Sequence, residues 1–342
     1  MSYSVSRKNG LWQLSDRSGA NILTANAATA KTLELRPKPN GLLKLGTAKL
    51  HPYRGIVRLV AYTDDLLAVV NILDMESYLQ GVVGSEMPAY WYKAALRAQC
   101  IAARTYALYQ MHNHNKNKDW DINSDQSSQV YGGVDKENRR VSQAIRETRG
   151  IVLAYGDQDD EKIFPAYYSS TCGGHTANGA EVFGDSLPPL HGRKCPYCGS
   201  VAPPKYYRWP TVQIAKRTVS DKLIKRYPVL KQTLKQVANI KISTRTESGR
   251  IEKIELIGSN QRRKYIGVEN FRLAITTREQ PVRSSWFRLV DAGDDWRFEN
   301  GKGWGHGVGL CQTGCQQMAK EGNDCVAMLE FYYPRATLLR VY

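Results

Sequence analysis

No stretch of this 342-residue chain approaches the roughly 20 apolar residues that a membrane-spanning helix needs, so no helical span is expected. The start, Met1-Ser2-Tyr3-Ser4, leads straight into polar sequence, without the basic residues and apolar stretch of an export signal. Taken literally, that describes a cytoplasmic protein. An export signal removed from this start is the other reading, and the sequence leaves both open. No compact Lys/Arg run and no nucleic-acid motif occurs, which argues against a nucleic-acid partner. The GxxxxGK[ST] spacing of a phosphate loop is missing, and no repeat of 20–50 residues is visible.

What is present is charge and aromatic surface. The formal net charge is +16 with a pI near 9.5, which implies an anionic partner or a strongly solvated surface. The basic residues are spread along the chain, without a compact run, which fits a solvated surface or a broad polyanion site. Twenty tyrosines and seven tryptophans suit both cores and sugar-binding surfaces.

Up to about residue 50 the chain reads as short strands and turns, with Asn40-Gly41 marking one turn and Asp64-Asp65 a later one. A helix begins at Asp74, a suitable N-cap, and Gly84 is its expected terminator. Ser85-Glu86-Met87-Pro88 follows, where Pro88 pushes Met87 out of helical geometry. A second helix, rich in alanine, is expected from Trp91 to Met111, and an amphipathic one from Lys136 to Arg149. A hairpin over 150–170, a helix from Val219 to Val237, strands at 250–258 and 284–290, and helices at 312–320 and ending at Tyr333-Pro334 complete the reading. Helices and strands alternate without a regular βαβ period, so the fold class is α+β.

Three constellations carry possible chemistry. Glu86 lies between two apolar helices beside a proline, where its geometry is fixed; partial burial there favours a general acid. In GKGWGHGVGLCQTG (301–314), alternate glycines let backbone approach a ligand, and Trp304 and His306 project from them. Cys172-Gly-Gly-His175 and Cys195-Pro-Tyr-Cys198 have the spacing of a tetrahedral zinc site, with His191 as a possible substitute ligand; disulfides or buried thiols are the alternative. Four protein ligands would make such a zinc structural. A zinc deaminase is excluded, since no HxE precedes the pair. Cys100, Cys311, Cys315 and Cys325 read as small hydrophobes.

Asn71–Leu108, with its Glu-Met-Pro motif, resembles the stage II sporulation protein D (SpoIID/LytB) family. So do SSQVYGG (127–133), YYSSTCGGHT (167–176), GRIEKIELIG (249–258) and GWGHGVGLCQTGCQQMAKEG with the closing FYYP. The resemblance implies a SpoIID-like catalytic fold, with a β-rich N-terminal segment (1–52), a catalytic lobe (53–202), an inserted mixed α/β subdomain (203–290) and a C-terminal part of the catalytic domain (291–342). It implies a lytic transglycosylase acting on peptidoglycan glycan strands already stripped of stem peptides by an amidase, and hence a periplasmic or cell-envelope setting. Its catalytic residue would be Glu86. Gln129, Tyr168, Ser169, Trp304 and His306 are candidates for holding the sugar. Zinc between two loops of the catalytic lobe is also a feature of some members. Cys100, Thr313, Cys315 and Arg335 depart from the family's usual residues. The rival readings are a hydrolytic muramidase, with Asp125, Glu181 or Asp185 as second carboxylate, and a glycan-binding module without catalysis.

Overall fold

The computed structural model describes residues 3–16, 18–23, 29–46, 48–113, 118–157 and 160–342. The chain divides into two units, one of residues 1–89 and 107–147, the other of 90–106 and 148–342. Both mix helices with mostly antiparallel strands, the α+β class expected.

In the first unit, β1 (Ser4–Lys8) and β2 (Leu11–Ser15) form a hairpin whose turn, Asn9-Gly10, has both residues at positive φ. Such a turn matches the right-handed twist of the strands it joins. β3 (Thr32–Leu35) is followed by the Asn40-Gly41 turn and a second hairpin, β4 (Leu43–Leu45) with β5 (His51–Tyr53). β6 (Ile56–Ala61) lies between β3 and β7 (Leu67–Ile72), with Asp64-Asp65 at the turn between β6 and β7. The alternation of these strands turns Leu33, Val57, Leu59 and Ala61 onto the fully buried Trp12, whose indole N–H donates to Ala30 O at 2.8 Å. Helix α1 (Met75–Glu86) then starts at Asp74, whose carboxylate accepts from Ser77 N at 3.0 Å. α2 (Lys93–His112) gives its residues up to Tyr106 to the second unit.

The helix expected over 136–149 is shorter. A 3-10 turn spans Gly133–Lys136, the chain extends at Glu137, and α3 (Arg139–Glu147) begins after Asn138, whose side chain accepts from Arg140 N at 2.9 Å. Val141, Ala144 and Ile145 are its buried face.

In the second unit, β8 (Ile151–Tyr155) and β9 (Lys162–Ile163) make the expected hairpin; residues 158 and 159 at its tip lie outside the described residues. β10 (Tyr168–Ser169) is followed by three short helical turns, α4 (Gly179–Val182), α5 (Cys198–Val201) and α6 (Pro204–Tyr207). After β11 (Arg208–Trp209) and β12 (Val212–Ala215) the helix expected over 219–237 is two helices, α7 (Lys216–Arg226) and α8 (Val229–Leu234). Pro228 separates them, since a proline inside a helix removes a hydrogen bond and clashes with the preceding turn. β13 (Val237–Arg245), β14 (Ile251–Gly258) and β15 (Arg263–Gly267) form one antiparallel sheet, with α9 (Val268–Ile275) after it. β16 (Arg288–Ala292) and β17 (Asp295–Glu299) pair with β12 in another.

Val219 and Leu223 of α7 and Phe271 and Ile275 of α9 pack with Ile240, Ile254, Leu256, Phe287 and Phe298 into one core. Each such side chain contributes about 1.5–3 kcal/mol by leaving water. The strand expected at 284–290 begins only at Arg288, because Ser284 and Ser285 are buried and Ser284 Oγ donates to Lys302 O at 2.6 Å. β18 (Gly301–Lys302), β19 (Leu310–Cys311), α10 (Gln312–Lys320), α11 (Cys325–Tyr332) and β20 (Thr337–Arg340) complete the chain. Among the described residues no helix is long and apolar enough to cross a membrane.

Candidate active site and thiol cluster

Glu86 is the last residue of α1. Met87 follows in extended backbone, φ −127° and ψ 141°, as a residue before proline must, and its N–H closes the helix on Val83 O at 3.0 Å. The helix therefore runs two residues past Gly84, which lies inside it for a different reason. Lys136 O sits 1.9 Å from where a Cβ on Gly84 would be, so only glycine lets the 3-10 turn approach this closely.

The segment 129–132 braces the same helix. Val130 N donates to Glu86 Oε1 at 3.1 Å, fixing the half-buried carboxyl. Tyr131 stacks on Tyr78 of α1 with ring centroids 5.3 Å apart, and its hydroxyl donates to Asn71 Oδ1 at 2.9 Å. Burial pushes that hydroxyl's pKa up to about 12. Gly132 N donates to Gly81 O at 3.3 Å. Gln129, expected to touch sugar, is 1% exposed and its Oε1 accepts from the Tyr78 hydroxyl at 2.9 Å. As placed here, it positions α1.

The remaining sugar-binding candidates gather in the second unit, around the glycine-rich loop. Trp304 exchanges both backbone hydrogen bonds with Thr171, at 2.7 and 3.1 Å, and Gly305 N donates to Arg283 O at 2.8 Å. Gly309, φ 67°, is required by contact: a Cβ there would meet Tyr167 O at 2.1 Å. Val308 N donates to His306 Nδ1 at 3.1 Å, so the ring proton is on Nε2, which donates to Tyr168 O at 2.9 Å. Burial, acting against the nearby Glu269 carboxylate, lowers the His306 pKa to about 4 and keeps the ring neutral. Both ring nitrogens are thus bonded within the protein. Tyr168 and Ser169 are buried in β10, and Ser169 Oγ has no hydrogen-bond partner among the described residues. Trp304 keeps a half-buried ring.

The candidate second carboxylates have local roles. Asp125 accepts from Ser127 N at 2.9 Å and Ser127 Oγ at 2.5 Å, which holds its pKa below the usual range. Asp185 accepts from the Tyr167 hydroxyl at 2.7 Å. Burial, followed by the Glu252 charge, raises the Glu181 pKa.

Four buried cysteines, Cys172, Cys195, Cys198 and Cys311, bring their sulfurs within 4.8 Å of one another. Cys172 follows β10, Cys195 and Cys198 form a knuckle leading into α5, and Cys311 ends β19. The set differs from the one read by spacing. His175 is not part of it; its Nδ1 lies 2.7 Å from Thr176 O, while His191 is exposed. Cys311 takes the fourth place because parallel pairing of Ser169 with Cys311 brings β19 beside the Cys172 segment. This is the residue that sequence reasoning missed. Three cysteines wanting a fourth soft ligand were the available signal.

The arrangement fits a divalent metal of zinc type. Tetrahedral bonds of about 2.3 Å place thiolate sulfurs about 3.8 Å apart; Cys172 Sγ and Cys198 Sγ are 3.5 Å apart. The sulfurs also have donors of their own. Cys172 N donates to Cys311 Sγ at 3.2 Å, and the Tyr332 hydroxyl lies 3.3 Å from Cys195 Sγ. The buried Arg250 guanidinium donates to Cys172 O at 2.5 Å, where it would offset the negative charge of four thiolates around a dication.

Residues 63–155 match the model of the stage II sporulation protein family, SpoIID. A protein of Brachyspira hyodysenteriae described as uncharacterized is 34% identical over 281 residues, covering 82% of this chain and 70% of its own. Stage II sporulation protein D of Bacillus subtilis is 29% identical over 278 residues, 77% of this chain and 74% of that protein. The chain belongs to the SpoIID family. Another relative is the amidase enhancer of Bacillus subtilis, 29% identical over 294 residues; the match covers 76% of this chain and 40% of the enhancer. SpoIID membership supports a cell-wall-related role. Glu86 and its brace fall within the SpoIID match, whereas residues 200–309 match a separate model, a domain of unknown function.

Proposed function

We propose that this chain is a lytic transglycosylase. It cleaves the MurNAc-β-1,4-GlcNAc bond of peptide-stripped glycan strands and leaves 1,6-anhydro-MurNAc ends, with Glu86 as its single acid/base. The observation that carries the reading is the fixed Glu86 carboxyl, half-buried at the end of α1 and bonded at Oε1 by Val130 N–H. The donor at Oε1 holds the carboxyl in place, and Glu86 begins the reaction protonated. Its proton passes to the glycosidic oxygen as the C1–O bond breaks. The carboxylate then takes the proton of the muramyl C6 hydroxyl, whose oxygen bonds to C1 of the same ring. Glu86 ends protonated again, and no water is consumed. Because the nucleophile belongs to the substrate ring, its effective concentration is already high, and the second carboxylate of ordinary glycosidases is unnecessary.

Trp304 offers the sugar an aromatic surface. His306, Tyr168 and Ser169 support the loop beneath it, a narrower role than direct contact. Gln129 serves through α1. Zinc at Cys172, Cys195, Cys198 and Cys311 would be structural, holding β10, β19 and α5 together. An amidase that strips the strands is the functional partner this substrate requires, and the cell envelope is where it is found.

Mass spectrometry of amidase-treated glycan decides among the readings. Wild-type chain should release products with 1,6-anhydro ends, one water lighter than hydrolytic products. Glu86→Gln should lower their rate by about 10²–10⁴-fold, the range for loss of a general acid/base. Reducing ends would indicate a hydrolase, and Glu86→Gln cleaving at the parental rate would dispose of the mechanism.

A further inference from the structure

Charge is distributed unevenly over the chain. Residues 203–290 hold 20 of the 48 Lys and Arg against 6 of the 32 Asp and Glu, so this quarter of the sequence carries +14 of the net +16. Many of those cations are paired: Lys216 with Asp291, Arg263 with Glu255, Arg272 with Glu269, Arg288 with Glu299. Arg283 and Lys205 have no carboxylate partner among the described residues, and both lie against aromatic rings.

Arg283 Cζ sits 4.1 Å from the centroid of Trp304. The Tyr206 ring meets Trp304 edge-on at 4.4 Å, and Lys205 Nζ is 5.7 Å from the Tyr206 centroid. Cation, ring, ring and cation thus follow one another, and the Gly305 N–Arg283 O hydrogen bond ties the backbone next to Trp304 to that of Arg283. Beside it a cleft of about 280 Å³ has Arg278, Arg283 itself, Gln213 and Gln280 among its lining residues, with one carboxylate, that of Glu279, against the two guanidinium groups. A guanidinium attracted to a ring and without a carboxylate partner keeps N–H groups for an anion, and two parallel N–H donors match a carboxylate. The half-buried rings supply apolar surface for the C–H face of a pyranose.

The geometry points to Arg283, Trp304 and Tyr206 as a subsite for a sugar ring bearing a carboxylate, with Arg283 as the residue that reads the acid. This deepens the glycan-cleavage reading and rests on it for the ligand. In a muramyl residue freed of its stem peptide the lactyl carboxylate is exposed, whereas an intact stem peptide ties that carboxyl up as a neutral amide. Arg283 therefore selects stripped strands.

Binding measured by calorimetry on the 342-residue Glu86→Gln chain tests this without cleavage. Three ligands of equal length are compared: a stripped glycan tetrasaccharide, the same fragment with its carboxyls converted to methyl amides, and a chitin tetramer. The stripped fragment should bind about 10-fold or more tighter than the amide, as expected for a charge-assisted bidentate contact. Arg283→Gln should remove that difference and leave the chitin affinity within about twofold, while Arg283→Lys should recover part of it. A carboxylate preference that survives Arg283→Gln overturns the proposal, as does tighter binding of a phosphate polymer or single-stranded nucleic acid than of stripped glycan. Chitin binding by Arg283→Gln shows that the variant is folded. Failure of the catalytic reading would appear separately, as cleavage by Glu86→Gln.

Discussion

The two units position their candidate residues by different means. In the first, one glutamate is held by a single segment: Val130, 44 residues on, donates to it, and Tyr131, Tyr78 and Gln129 pack behind its helix. In the second, the loop at 303–309 is held by segments far away in sequence. Trp304 pairs with Thr171, His306 donates to Tyr168, and the Cys172 N–H bonds Cys311 Sγ, each across more than 130 residues. A brace made by one segment against one helix survives as long as that single pairing does. A loop tied across the whole unit depends on every tie, and a metal at the four sulfurs would be the strongest of them. Damage to the second unit is therefore expected to be cooperative, and damage to the first graded.

Cys311→Ser tests the cooperative half and should have the largest effect. Structural zinc sites contribute on the order of 10 kcal/mol to folding, so one lost ligand should remove the metal and lower the unfolding midpoint of the purified chain steeply. His175→Ala should keep full metal content. Elemental analysis of both variants checks this; normal metal in Cys311→Ser with none in His175→Ala would restore the ligand set read from spacing.

The next effect concerns pH. His306 has an ordinary pKa of 6.5, lowered to about 4 in the fold by burial, so between those values the unfolded chain binds the proton and the folded chain does not. The stability this gives is complete above pH 6.5 and is lost as pH falls toward 4. About 2 kcal/mol should disappear between pH 7.5 and pH 5. Denaturant unfolding of wild type and His306→Asn at both pH values isolates that share. A slope unchanged by the substitution would mean that the imidazole titrates alike folded and unfolded.

How much of this was legible in the sequence depends on the range of the cause. The Asp74 cap, the break at Pro88, the hairpin after residue 150 and the helix at 312–320 follow from residues within a few positions of each other, and the structure has them. Gly84 read as a helix end because its real partner, Lys136 O, is distant in sequence. Strand β20 gave no signal, since its only reason to be a strand is pairing with β8, Arg340 opposite Ile151. Cys311 passed for a small hydrophobe because its fellow thiols come from 113 to 139 residues earlier. Glu86 was legible through its Glu-Met-Pro motif. Gln129 was seen in its motif, but its side chain faces Tyr78.

The smallest expected effect probes the graded half. Tyr131→Phe keeps the ring stacked on Tyr78 and removes only the hydroxyl that donates to Asn71 Oδ1. Asn71 Nδ2 still donates to Arg54 O and Ile56 O at 2.8 and 3.1 Å, so its side chain stays in place with one acceptor unfilled. The cost should be about 1 kcal/mol. Because Tyr131 adjoins Val130, a looser segment lengthens the Val130 N–Glu86 Oε1 hydrogen bond, and the anhydro-forming rate should fall by a few-fold with substrate affinity unchanged. Asn71→Ala should act through the same contact, so the double variant should lose little more than the worse single one. Fully additive losses would mean that the two side chains act independently and that Glu86 is not held through this segment.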